Sequence, residues 1–307
     1  MTTAARETHD PRMYAALLAM CVIWGSTFLV IRIGNETVSP LWAATVRLLI
    51  AVPLYLAVAF ATAAPFGGRA AVRTALAYGS LNYGVNFALL YWGEQRVPSG
   101  TAAVIYATIP LTTAIFAHLF RVHPLEVRQL IASVVGLAGV AVVFSGELMR
   151  GAPIAALAAV TTGATCAALG AVILKKGTSP STWTTNAIGA AAGAVVCLLA
   201  SVALGERHAL PRVRQEWWPI LYLVVAGNLG AYALYAWLVT KWNVVRLNVI
   251  TLAIPIIAVV LGSIVRQEAP GGATYAGGVL VLAGVTISLL QARPAPGGDG
   301  AAREGSQ

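Results

Sequence analysis

Tyr78, Asn82 and Asn86 recur at i, i+4 and i+8, which is one face of a helix, inside a run of 20 residues without a charge. Tyr83 adjoins them. A second stripe is formed by Asn228, Tyr232 and Tyr235. Thr101, Thr108 and Thr112 with Tyr106, and Asn248 with Thr251, make two more. None of these residues pairs a nucleophile with a base. Their chemistry is recognition: amides hydrogen-bond an amine or a carboxylate, and aromatic faces pack apolar groups and attract ammonium. Polar side chains within apolar runs must face partners or water. Hydrogen-bond glue between helices is the plainer reading, especially for the threonines. Matched stripes in both parts of the chain favour a binding cavity. No charge lies on them, so a substrate's charge is expected to meet no full counter-charge, which favours broad selection. Trp24, Trp92 and Trp237 read as cavity lining or as interfacial anchors.

Arg47 is the one charge well inside an apolar run. At the centre of a bilayer it costs about 2.5–3.5 kcal/mol by insertion scales. It lies near Pro40, so it is expected to snorkel outward or brace the helix, with a gating or substrate role as the alternative. Both aspartates, Asp10 and Asp299, lie near the ends of the chain, and every glutamate falls at a helix end or loop. Proton or sodium coupling of the common kind would need a carboxylate at mid-membrane. Phosphate-loop, HExxH and GxSxG patterns are absent from the sequence, which argues against an enzyme and implies no cofactor. Cys21, Cys166 and Cys197 sit in apolar runs, without metal-ligand spacing.

These residues need a particular solvent. The 307 residues are 58% hydrophobic and 10% charged, against about 25% charged in a soluble domain. Cutting the chain at its charges leaves nine charge-free runs of 18 residues or more, from Met13–Ile31 to Ala269–Ala292. A tenth, Thr37–Gly68, is broken only by Arg47. A spanning helix needs about 20 apolar residues, so the sequence predicts an all-α polytopic membrane protein of ten transmembrane helices. The net charge of +9 then reads as topology charge rather than a nucleic-acid surface. With the N-terminus in the cytoplasm, twelve Lys and Arg face the cytoplasm and seven the other side. Both termini are expected there. Residues 1–12 read as a cytoplasmic tail and 293–307 as a disordered one.

The chain repeats itself. At a shift of 145 residues FALLYW (Phe87–Trp92) meets YALYAW (Tyr232–Trp237), and ATIP meets LAIP, so that Pro110 corresponds to Pro255. Residues 13–146 and 151–292 are therefore expected to be two five-helix repeats. Five is odd, so the halves insert in opposite orientations, with the substrate site between them near the midplane. A proline inside a helix removes a backbone bond, at about 3 kcal/mol. Pro110 and Pro255 are expected to be paired hinges of alternating access, or else static kinks.

WGSTFLVIRIG (Trp24–Gly34), Arg47 and the paired Pro- and Gly-rich repeats resemble the drug/metabolite transporter superfamily, EamA type. The sequence is most similar within it to YddG-type amino-acid exporters. That resemblance implies a ten-helix basket around a central cavity lined mainly by helices 3, 4, 8 and 9. It implies export of amino acids across the bacterial inner membrane, with a single chain sufficing. Cationic drugs, nucleobases or other metabolites are the alternative cargo, and an intramembrane enzyme the weaker one.

Overall fold

The computed structural model describes residues 11–122, 124, 127–239 and 250–289. Every described element is helical. Helix α1 spans Pro11–Gly34, α2 Pro40–Ala61 and α3 Arg69–Gly79. The π segment π1, Ser80–Val85, continues α3 into α4, Asn86–Gly93. Then follow α5 (Ser99–Tyr106), α6 (Ile109–Leu119), α7 (Val127–Met149), α8 (Ile154–Lys176) and α9 (Thr182–Ala203). Helix α10 (Arg214–Tyr222) passes through π2 (Leu223–Gly230) into α11 (Ala231–Val239). Helices α12 (Ile250–Arg266) and α13 (Gly272–Leu289) complete the described chain.

Among the described residues six helices are long and apolar enough to cross a membrane by length and composition, counting α5 and α6 as one; shorter apolar helices cover Ala253–Arg266 and Gly272–Ile287. The rods through π1 and π2 change hydrogen-bond type midway. Their backbone stays right-handed helical across the joins, as at Gly79, Ser80, Tyr222 and Ala231.

Local sequence sets the ends. Pro40 opens α2 where its missing N–H is not needed. Ser181 Oγ accepts from Trp183 N at the start of α9. The Glu206 carboxylate accepts from Leu41 N and Trp42 N at 3.2 and 2.9 Å, so a residue beyond α9 caps α2. The Glu268 carboxylate caps α5 in the same way, taking Ser99 N and Ser99 Oγ at 3.0 and 2.7 Å.

Packing follows from small residues. In a bilayer helices gain little from hydrophobicity and pack by close approach. A Cβ on Gly79 would lie 2.1 Å from Gly189 Cα, and one on Gly139 would lie 2.6 Å from Gly277 O. Those contacts seat α3 on α9 and α7 on α13. The remaining principal pairs are α2 on α9, α1 on α12, α4 and α6 on α8, and α11 on α1. The main core packs Leu48, Tyr55, Tyr83, Tyr91 and Ile105, all almost fully buried, with alanines between them.

Candidate functional site: a central cavity

A cavity of about 260 Å³ opens among α1, α2, π1–α4, α5–α6, π2 and α12. That is small beside the roughly 300–1,000 Å³ of drug-sized sites, and suits a small solute. Helix α1 contributes Trp24, Thr27 and Phe28. The π1–α4 rod gives Tyr83, Asn86, Phe87 and Leu90. The α5–α6 break supplies Tyr106 and Pro110, π2 gives Gly227 and Asn228, and α12 gives Ile254 and Pro255. Arg47 of α2 reaches the same wall.

Tyr106 Oη donates to Asn86 Oδ1, and Asn86 Nδ2 donates to Asn82 O at 2.9 Å. The wide turn of a π segment disturbs the regular ladder of backbone bonds, and such segments recur at functional sites. Asn86 occupies one carbonyl of π1. The Cys197 thiol lies 3.7 and 3.5 Å from the carbonyls of Tyr83 and Gly84. Phe28 meets Tyr106 edge-on, with ring centres 5.3 Å apart, and Tyr83 meets Phe87 at 5.6 Å.

Of the residues expected to surround a cavity, Tyr83, Asn86, Tyr106 and Asn228 lie on this wall. Tyr78 and Asn82 do not. Asn82 Nδ2 donates to Tyr78 Oη at 2.8 Å, and its Cβ faces Gly170 of α8. The i, i+4, i+8 stripe assumed an unbroken α-helix. The π1 turn inserts about one residue, so the face rotates between Asn82 and Asn86. The aromatic line instead runs Tyr78, Tyr83, Phe87 and Tyr91, with a step of five across π1. The side chains of Tyr232, Tyr235 and Thr251, and all of Asn248, lie outside the described residues. Thr108 and Thr112 bond the carbonyls of Ile105 and Thr108, as threonines in helices do. Thr101 donates to the Glu147 carboxylate, which also accepts from Thr274 and ties α5 to α13. Trp24 is on the wall, while Trp237 is exposed.

Two prior expectations need correction. Arg47 does not snorkel; it is 3% exposed and turns inward. A charge therefore does face the cavity, where the stripes implied none. Its Nη1 donates to Tyr91 Oη at 3.1 Å and its Nη2 to Asn228 Oδ1 at 2.6 Å. The guanidinium also lies over the Phe87 ring, 4.6 Å from its centre. Pro110, expected mid-helix, sits in the first turn of α6 after a break at Ala107–Thr108, where its missing N–H is harmless. Pro255 is inside α12.

A charged cluster lies beyond one end of the cavity. Arg32, Glu94 and Ser99 stand one helical turn beyond Phe28, Leu90 and Ala103 of the wall. Arg32 Nε pairs with Glu268 at 3.1 Å, and its Nη1 donates to the carbonyls of Glu94 and Val97 at 3.2 and 2.6 Å. Arg266 pairs with Glu36 beside them. Thr27, Phe28, Phe87 and Gly227 were not singled out in the sequence. The Arg47 charge was the signal that could have led to its partners, because a buried cation demands acceptors.

The comparisons agree with this architecture. The EamA-like transporter family matches residues 11–145 and again 154–290. The chain is 32% identical over 280 residues to the "Uncharacterized inner membrane transporter YedA" of Escherichia coli (strain K12), covering 90% of each. It is 32% identical over 133 residues, 42% of this chain and 43% of the other, to the "Probable terminal-alkyne amino-acid exporter" of Streptantibioticus cattleyicolor. A solved crystal structure superposes with a TM-score of 0.61 at 19% identity, over 92% of this chain and 99% of that one, and shares its fold. By the family match over both parts of the chain, the protein belongs to the EamA-like transporter family of the drug/metabolite transporter superfamily and is a multi-pass membrane transporter.

Proposed function

We propose that the chain crosses the membrane ten times, as two oppositely oriented five-helix halves, and exports amino acids or related small metabolites across the bacterial inner membrane by alternating access. The family match recurring at 11–145 and 154–290 supports two halves. So does the packing. Exchanging the halves maps α1 onto α8 and the α5–α6 pair onto α12, and the α1–α12 contact has its counterpart in α8–α6. Helices α2 and α9, and α7 and α13, each pack on their own counterpart, as helices beside a two-fold axis must. The observation that carries the transport reading is the cavity itself. Both halves line it, its walls mix aromatic rings with amides, and a charged cluster lies beyond one end.

The likeness to a protein named as an amino-acid exporter supports that cargo. Arg47 on the wall disfavours cationic drugs, since its charge repels them. Nucleobases and other neutral metabolites remain the alternative. Among the described residues that line the cavity none is a carboxylate, which supports transport without obligatory ion coupling. A counterflow panel in proteoliposomes tests the reading. Amino acids are expected to exchange, and uptake to follow the substrate gradient alone. Exchange of nucleobases or organic cations with amino acids inert would overturn the cargo. Accumulation driven only by an imposed proton or sodium gradient would overturn the uncoupled mode.

A further inference from the structure

We propose that Arg47 is a binding residue for the carboxylate of the substrate, with Asn228 as its partner donor; this deepens, and rests on, the reading of the cavity as the transport site. Among the described residues that line the cavity, Arg47 is the only charged one. It is 97% hidden from solvent, and the partners found for it among the described residues are neutral: the Tyr91 hydroxyl, the Asn228 amide oxygen and the Phe87 face. A cation held in low dielectric without a counter-ion is costly, and an arriving anion relieves that cost.

The geometry leaves room for the anion. A guanidinium has five N–H donors in a planar fork that matches a carboxylate. Tyr91 and Asn228 take one hydrogen on each terminal nitrogen, and the Phe87 ring fixes the plane. Nε has no partner among the described residues, so an edge of the fork is unfilled. Asn228 Nδ2 is likewise buried without a partner among the described residues, while its oxygen is committed to Arg47. Unfilled donors on adjacent groups describe an anion receptor. Gly227 keeps the approach open, since a Cβ there would stand 3.5 Å from Arg47 Nη2 and 3.9 Å from Thr27 Oγ1. A lone cation in a small cavity with largely apolar walls suits a singly charged carboxylate better than a phosphate of about −1.5 to −2 charge. The aromatic wall formed by Phe28, Phe87 and Tyr106 would then take the rest of the molecule.

The test uses the purified full-length protein in detergent, with L-phenylalanine, phenethylamine (the same molecule without its carboxylate) and phenylpyruvate (an anion without the ammonium) as probes, read by ligand-induced thermal stabilisation. Wild type should bind the two carboxylates and ignore the amine. Arg47→Gln should weaken carboxylate binding by about ten- to a hundredfold, as expected for a lost charge-assisted pair. Where Arg47→Gln fails to fold, Asn228→Asp serves instead. That change is isosteric and supplies Arg47 with an internal counter-ion, so the folded variant should lose carboxylate binding. If L-phenylalanine binds wild type, Arg47→Gln and Asn228→Asp equally, or if phenethylamine binds as well as L-phenylalanine, the assignment is overturned while amino-acid transport stands. If phenylpyruvate alone binds, and does so through Arg47, the anchor stands and the amino-acid reading falls. Failure of both carboxylates to bind wild type overturns the anchor.

Discussion

Glu94 is fully buried just past the end of α4, and neither of its carboxylate oxygens has a hydrogen-bond partner. Burial pushes its carboxyl well above the usual range; nearby Arg32 pulls the other way and Glu268 adds to the rise. The folded protein therefore keeps this proton to a higher pH than the unfolded chain, whose value lies near 4.5. The stability linked to it is fully present below that value. It is lost as pH rises through the folded value. Glu94→Gln keeps the shape and removes the charge. Thermal unfolding in detergent should show the variant gaining on wild type between about pH 5 and pH 8. Parallel melting curves across that range would mean that Glu94 stays satisfied when ionised. Arg47 shows the opposite strategy at the same scale. It has neutral acceptors and an aromatic face about it, and so presents a charge to the cavity.

At the scale of elements, three of the rods that line the cavity are interrupted at its level. Segments π1 and π2 widen two of them, and α5 breaks from α6 at Ala107–Thr108. The π segments correspond under the 145-residue shift, since 80–85 maps onto 225–230 within π2. A matched irregularity in both proposed halves is the expected form of a cavity built from a repeat. Pro110 prevents α5 and α6 from fusing, because an α-helix through it would clash with the preceding turn. Pro255 lies in the corresponding place inside α12, which runs on through it. We expect Pro110→Ala or Pro255→Ala to leave stability within about 1 kcal/mol and to slow counterflow several-fold, because a straight rod resists bending. Two single variants that exchange substrate at the wild-type rate, with normal expression, would reduce both prolines to packing.

For the whole molecule, the charged cluster beyond one end of the cavity is the contact that proposed alternating access must break. Arg32 of α1 holds Glu268, beyond α12, and through it the start of α5. The latch thus joins the two proposed halves, and alternating access requires it to part. Arg32→Ala should open that end. A membrane-impermeant maleimide added on the Arg32 side should then label a cysteine at position 86 several-fold faster than in the protein with Arg32 intact, after the native cysteines have been replaced. A cysteine at position 82 should stay protected in both, because that site packs against α8. Equal labelling of position 86 with and without the latch would place the barrier elsewhere.

Composition and the spacing of charges pointed to the solvent and to helices, and the motif with the repeat pointed to the family. A chain with so few charges must satisfy its backbone internally in lipid, and helices do this one residue at a time, so their positions are written locally. Each described helix is built on a charge-poor run, and the described glutamates lie at ends, where several cap neighbouring helices. The repeat was legible because a shift of 145 residues aligns like with like. Which face of each helix turns inward was not. The π1 turn rotated Tyr78 and Asn82 away from Asn86, and π hydrogen bonding leaves no reliable mark in residue types. Arg47 turned inward because Tyr91 and Asn228, 44 and 181 residues along the chain, meet it only when their helices pack. A charge in an apolar run states a cost; only the neighbours brought by the tertiary fold decide whether lipid, protein or a bound anion meets it.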